Sequence, residues 1–172
     1  VNNAAMVGSS NQNDYSVKFE KQSLTSWNDA LNINLTAIFD LVKNLSSNLK
    51  KSNNAKIINI SSIYGLRSPK LMLYEKTKVN TPASYSVSKN ALIHLTKWLA
   101  SNLGPKVRVN SISPGGIYRK QSSKFIKKYK SLTPMQRMAK ENDFKGAVIF
   151  LSTQMSDYVT GHNLIVDGGW SI

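Results

Sequence analysis

The sequence predicts an α/β fold built on a parallel sheet. Three short β-branched runs, Lys56–Ser62 (KIINISS), Val107–Pro114 (VRVNSISP) and Asn163–Gly169 (NLIVDGG), are separated by helix-length periodic segments. Strands alternating with helices imply crossover connections, which make neighbouring strands parallel. A chain of 172 residues suits one domain with a sizeable core, yet falls short of the two halves of a dinucleotide-binding sheet.

The elements follow in order. Residues 24–49 read as a helix containing a break, and the polar stretch KKSNNA separates it from the first strand. A helix over 82–102 has Thr81 as its expected N-cap, Pro82 at its first position and Gly104-Pro105 as its stop. Ala91, Leu92, Leu95, Trp98 and Leu99 recur on it at helical spacing, which marks core or subunit contacts. After the second strand comes SPGGI, then the basic segment Arg119–Lys140, which contains no acid. A helix over 143–151 and the third strand complete the pattern. Repeats, low-complexity linkers and an internal domain boundary are absent, so residues 1–172 form one domain.

Composition excludes several functions. With no cysteine and two isolated histidines, His94 and His162, there is no thiol nucleophile, disulfide scaffold or metal-ligand spacing. No run approaches the ~20 apolar residues of a membrane span, nor is there a basic-then-apolar leader, so the chain reads as soluble, without a membrane partner, and is placed in the cytoplasm. The formal charge of +14 raises nucleic acid as a partner. The lysines are mostly scattered and no recognition module is present, so no nucleic-acid partner is assigned. From charge alone, Arg119–Lys140 reads as a solvated helix face.

Tyr85 and Lys89 stand four apart at the head of the 82–102 helix and project from one side. By periodicity alone this is an ordinary surface pair. Its context differs: NNAA opens the chain, LNINLTAIF and IINISSIYG precede the pair, and VRVNSISPGGI and VDGGW follow it.

This ordered set resembles the short-chain dehydrogenase/reductase family over essentially the whole chain, from the family's fourth strand to its usual end. The resemblance implies a Rossmann-like doubly wound parallel sheet with helices on both faces, lacking the N-terminal cofactor-binding half. That the chain begins at Val1 without methionine fits the tail of something longer. The glycine-rich pyrophosphate loop is missing from these residues, because the terminal VDGG follows the last strand and cannot serve as that loop.

The resemblance assigns four catalytic residues. Tyr85 is the general acid/base, its phenol lowered by the Lys89 cation; Lys89 also bonds the nicotinamide ribose. Ser62 binds and polarises the substrate oxygen, with Ser61 its most confusable neighbour, and Asn34 holds a water linking Lys89 to solvent. Ser62 and Tyr85 form the substrate site. The cofactor, NAD or NADP, meets Asn3, Tyr85, Lys89, Pro114, Gly115 and Ile117. Arg119 stands where the family often has threonine or serine.

The segment between Ser62 and Tyr85 is longer than the family commonly has, and its texture looks like a subset associated with bacterial surface-sugar and flagellin modification. In the family, residues around 118–141 form a substrate lid, and a basic lid suits an anionic substrate such as a sugar phosphate or nucleotide sugar. The implied function is NAD(P)-dependent interconversion of a secondary alcohol and a ketone on a carbohydrate-like metabolite, in a homodimer or homotetramer. The alternative is a noncatalytic fragment or binding protein that keeps the fold.

Overall fold

The computed structural model describes residues 1–7, 14–75 and 80–172. Three parallel strands lie in the order β1 (Ala55–Ile60), β2 (Val107–Pro114), β3 (Asn163–Val166). Ile60 stands opposite Ile112, and Pro114 opposite Val166. Beyond β1, Asn2 forms a single bridge: its N–H donates to the Ile58 carbonyl at 2.8 Å and its carbonyl accepts from the Ile60 N–H at 3.0 Å.

Helices cover both faces, as expected. α1 (Leu24–Leu31) runs through a π segment, Asn32–Thr36, into α2 (Ala37–Lys51); α3 (Ala83–Leu103), α4 (Ser123–Ser131) and α5 (Asn142–Ser152) follow. The two-residue pleat sorts the apolar residues. Ile57, Val107 and Val109 pack with Val42 of α2 and Leu99, Ala100 and Leu103 of α3. Ile58 and Ile112 point the other way, against Leu151 of α5. The expected break in the 24–49 helix is the π segment, whose wider turn accommodates one extra residue without interrupting the rod.

Two local expectations need correction. The N-cap of α3 is Pro82, and the Thr81 hydroxyl is buried with no partner among the described residues. Gln22 takes over its function: its Oε1 accepts from the Ala83 N–H at 3.0 Å, satisfying a donor that proline cannot cap. The third strand stops at Val166 instead of running to Gly169. The Asp167 carboxylate accepts from the backbone N–H groups of Gly169 and Ser171 at 2.8 and 2.9 Å, and Gly168 and Gly169 turn at φ of 68° and 87°.

The basic segment contains α4. Its inner face carries Phe125, Ile126 and Tyr129, while Lys124, Lys127 and Lys130 face outward and are exposed. Three of its cations are in ion pairs: Arg119 with Glu141 at 2.6 Å, Lys128 with Glu75 at 3.2 Å and Arg137 with Asp143 at 2.6 Å.

Candidate active site

The first turns of α3 meet the segment that leaves β1. Gly65 sets the distance between them, because a Cβ there would lie 2.8 Å from the Lys89 carbonyl carbon. Asn90 Nδ2 donates to the Gly65 carbonyl at 2.7 Å and closes the contact. Ser62 and Tyr85 are thereby brought near each other, close enough for the Ser62 hydroxyl to act on the Tyr85 phenol. Ser62 Oγ also accepts from the Tyr64 N–H at 3.2 Å. Ser61 is turned away, its hydroxyl donating to the Lys89 carbonyl at 2.7 Å. The two adjacent serines are thus physically distinguished.

Lys89 is 2% exposed, and its Nζ donates to the Ile60 carbonyl at 2.8 Å. The ammonium lies 5.9 Å from the centroid of the Tyr85 ring. Burial disfavours its charge and pushes its pKa down to about 8. Tyr85, packed against Met6, Tyr15 and Ala30, does not show the expected lowering. Burial raises its phenol above the ordinary value, the Ser62 hydrogen bond only partly offsets this, and the neighbouring Tyr74 adds to the rise. In this state Tyr85 is a protonated donor.

Asn34 sits in the π segment and is fully buried. Its Oδ1 accepts from the Met6 N–H at 2.8 Å, and its Nδ2 donates to the Met6 carbonyl at 3.1 Å and to Ser88 Oγ at 3.0 Å. Both amide hydrogens are spent on the chain. A water held here would have to use the second Oδ1 lone pair or a backbone carbonyl.

The other cofactor candidates make no hydrogen bond to this group among the described residues. Asn3 is exposed, one residue past the Asn2 bridge. Pro114 ends β2 half-buried, and the half-buried Ile117 bridges Ala139. Gly115 and Gly116 are required by the chain itself. A Cβ at Gly115 would fall 2.7 Å from the Asp167 Cα, and one at Gly116 would fall 2.7 Å from the Tyr129 ring. Arg119, standing where a hydroxyl residue was expected, is exposed and held by Glu141. Among the described residues no group of three or more His, Cys, Asp or Glu is placed to hold a metal.

Next to Ser62 lies an aromatic circuit that sequence reasoning missed. Tyr64 meets Trp170 edge-on at 5.8 Å, Trp170 stacks on Tyr129 at 6.2 Å, Tyr129 on Phe125 at 6.2 Å, and Phe125 meets Tyr74 at 5.8 Å. The Tyr64 and Tyr74 hydroxyls close it at 2.7 Å. Tyr129 Oη also accepts from the Gly116 N–H at 2.6 Å, tying the circuit to the turn after β2. Tyr64, two residues after Ser62, was open to notice in the sequence; nothing local links it to Tyr74 or Trp170.

A family profile described as enoyl-(acyl carrier protein) reductase matches residues 1–171. The chain belongs to the short-chain dehydrogenase/reductase family. Within it, post-translational flagellin modification protein A of Campylobacter coli is 35% identical over 145 residues, covering 84% of this chain and 57% of that protein. The 2-dehydro-3-deoxy-D-gluconate 5-dehydrogenase of Bacillus subtilis is 31% identical, over 99% of this chain and 63% of its own length. The crystal structure of a short chain dehydrogenase from Leptospira borgpetersenii with bound NAD+ superposes with a TM-score of 0.86 at 38% identity, over 92% of this chain and 61% of that one. The chain thus spans about three fifths of the length of these short-chain dehydrogenase/reductase relatives. Among the described residues no helix is long and apolar enough to cross a membrane.

Proposed function

We propose that the protein is an NAD- or NADP-dependent oxidoreductase interconverting a secondary alcohol and a ketone, with Tyr85, Ser62, Lys89 and Asn34 as its working residues. The observation that carries this reading is the buried Lys89, its Nζ donating to the Ile60 carbonyl at the end of β1 and lying 5.9 Å from the centroid of the Tyr85 ring, with the Ser62 hydroxyl near enough to act on the Tyr85 phenol. When bound, the nicotinamide supplies or accepts the hydride. Tyr85 Oη gives its proton to the carbonyl oxygen in reduction and takes the hydroxyl proton in oxidation, while Ser62 Oγ bonds the same oxygen and orients it. The Lys89 ammonium has three hydrogens and spends one on Ile60, which leaves two for ribose hydroxyls. Pro114, Gly115 and Ile117 offer a close backbone edge at the end of β2, and Asn3 an exposed amide, so the residues present fit the ribose and nicotinamide end of the cofactor. Asn34 clamps residue 6 to α3 and so positions Tyr85 and Lys89.

A carbohydrate-like substrate is supported by the names of the Campylobacter and Bacillus relatives. An anionic one is supported less, because three cations of the 118–141 lid are already paired and its unpaired lysines on α4 face outward. A homodimer or homotetramer is supported by the apolar groove between the π segment, α2 and α3, where Phe39 and Trp98 stand about half exposed. A cytoplasmic location suits a nicotinamide-dependent reaction.

Two measurements test the reading. Ser62→Ala should lower kcat by about 100-fold, as expected for losing one donor to the reacting oxygen. Ser61→Ala should lower it by less than about 10-fold while costing about 1 kcal/mol of stability through the lost hydrogen bond to the Lys89 carbonyl; steady-state kinetics with the reverse order would move the role to Ser61. Because no pyrophosphate loop lies in residues 1–172, this chain alone should bind NAD and NADP too weakly to saturate at micromolar concentration. Calorimetric titration checks this, and saturable micromolar binding would show that the ribose and nicotinamide contacts suffice.

A further inference from the structure

We infer that Tyr129 is a positioning residue for the cofactor: by holding the Gly116 N–H, its hydroxyl keeps the Gly115 carbonyl turned out as an acceptor for the amide NH2 of the nicotinamide. The inference rests on the oxidoreductase reading above and deepens it.

The turn after β2 leaves the sheet beside Ser62. The Ser61 N–H donates to the Ile112 carbonyl at 2.7 Å, so β1 and β2 release Ser62 and Pro114 at the same end. Open α/β sheets bind their ligands at that end.

Space requires glycine on both sides of one peptide here. A Cβ at Gly115 would meet the Asp167 Cα at 2.7 Å, and one at Gly116 would meet the Tyr129 ring at 2.7 Å. A peptide flanked by two glycines meets little steric resistance to flipping, and a flip exchanges the places of its C=O and its N–H. Tyr129 supplies the restraint. Its Oη accepts from the Gly116 N–H at 2.6 Å, while its ring is stacked against Phe125 and Trp170, each at 6.2 Å, and is 2% exposed.

The backbone groups of the turn show what this bond leaves over. The Gly115 N–H donates to the Val166 carbonyl at 2.9 Å, the Gly116 carbonyl accepts from the Ala139 N–H at 3.0 Å, and the Ile117 carbonyl accepts from Gln121 Nε2 at 2.9 Å. The Gly115 carbonyl and the Ile117 N–H have no partner among the described residues, although Gly115 is buried. Buried backbone groups need partners, and a ligand can supply them. A planar trans peptide carries its C=O and N–H on opposite sides. The Gly115 carbonyl therefore points away from Tyr129, and the Ile117 N–H away from Ala139. An acceptor and a donor two residues apart, both turned from the segment that contains α4, match a primary carboxamide, which offers an NH2 and a C=O.

Phenylalanine would fill the ring space of Tyr129 equally well. It would lose only the restraint on the peptide. The flipped peptide would present the Gly116 N–H in place of the Gly115 carbonyl, setting donor against donor at the carboxamide NH2.

The test uses the protein expressed from its complete gene. Dissociation constants of wild type and Tyr129→Phe are measured for whichever of NAD and NADP binds more tightly, and for its 3-acetylpyridine analogue, which keeps the carbonyl but lacks the amide NH2. Wild type should bind the natural cofactor about 10-fold more tightly than the analogue, the worth of one hydrogen bond to an otherwise unpaired carbonyl. In Tyr129→Phe the two should agree within about 2-fold, chiefly through weaker binding of the natural cofactor. A ratio unchanged by the substitution, with both ligands weakened alike or neither weakened, would make the hydroxyl merely structural and overturn the inference. An unfolded Tyr129→Phe would do the same. A wild type that binds cofactor and analogue equally overturns it too, while leaving the oxidoreductase reading intact. If wild type binds neither NAD nor NADP, the oxidoreductase reading falls, and this inference with it.

Discussion

Tyr85→Phe in the protein expressed from its complete gene is expected to lower kcat by about 100- to 10,000-fold, the range for removing a positioned proton donor. Cofactor affinity should stay within about 2-fold. The substitution deletes one oxygen and keeps the ring that packs against Met6, Tyr15 and Ala30, so the fold around the site is retained. The remaining Ser62 hydroxyl can still orient a substrate oxygen but cannot exchange a proton with it as a phenol does. Because burial keeps the Tyr85 phenol protonated, the variant should be most defective in ketone reduction, where the donor is needed at once. Single-turnover kinetics with an independent cofactor titration checks both halves; turnover within a few-fold of wild type would remove Tyr85 from the mechanism.

Lys89→Met should damage function and relieve the fold of a charge. Loss of the ammonium is expected to weaken NAD(P) binding by about 10- to 100-fold, the worth of charge-assisted hydrogen bonds, and to lower kcat as well. Stability should change with the opposite sense and with pH. The Lys89 pKa is about 8 in the folded chain and 10.5 when unperturbed. Between these values the unfolded chain binds more protons, so the Lys89 contribution to stability rises with pH; it is fully present above 10.5 and lost as pH falls through 8. Below pH 8 both states are charged, and the fold bears the whole desolvation cost. Methionine has no such titration. The stability of wild type relative to Lys89→Met should therefore grow by about 2 kcal/mol from pH 8 to pH 10. Tyr15 and Tyr129, both pushed up by burial to about 12, lower the stability of both proteins above pH 10 and so cancel from the difference. Urea denaturation of both proteins at the two pH values is the measurement; a constant difference would mean that the ammonium is not desolvated.

What could be read from the sequence is what is local or periodic. The β-branched runs at Lys56 and Val107 gave strands because alternation encodes two buried faces, and the apolar spacing from Ala91 to Leu99 gave α3 for the same kind of reason. Tyr85 and Lys89 were visible as a pair at i and i+4. Ser62 could be named beside Ser61 only through resemblance, since two adjacent serines leaving a strand are equivalent until the fold spends the Ser61 hydroxyl on the Lys89 carbonyl and leaves Ser62 beside Tyr85. The cap of α3 was misplaced because Gln22 lies 61 residues away in sequence. The π segment was invisible as such: NINLT carries no glycine or proline, and the break appears only once Asn34 must reach both Met6 and Ser88. The aromatic circuit was missed because its members come from four separate stretches of chain, and only the folded sheet brings their ends together.

The π segment also bears on how such a site is gained and lost at the level of the gene. A π turn is an α-helix carrying one surplus residue, and each residue rotates an α-helix by about 100°. Deleting one codon within 32–36 would merge α1 and α2 into a regular rod of nearly unchanged composition and swing the asparagine away from Met6 and Ser88. The proposed site is thus specified by a count as well as by an alphabet: a lineage could keep every letter of Ser62, Tyr85 and Lys89 and lose their support through a gap of one.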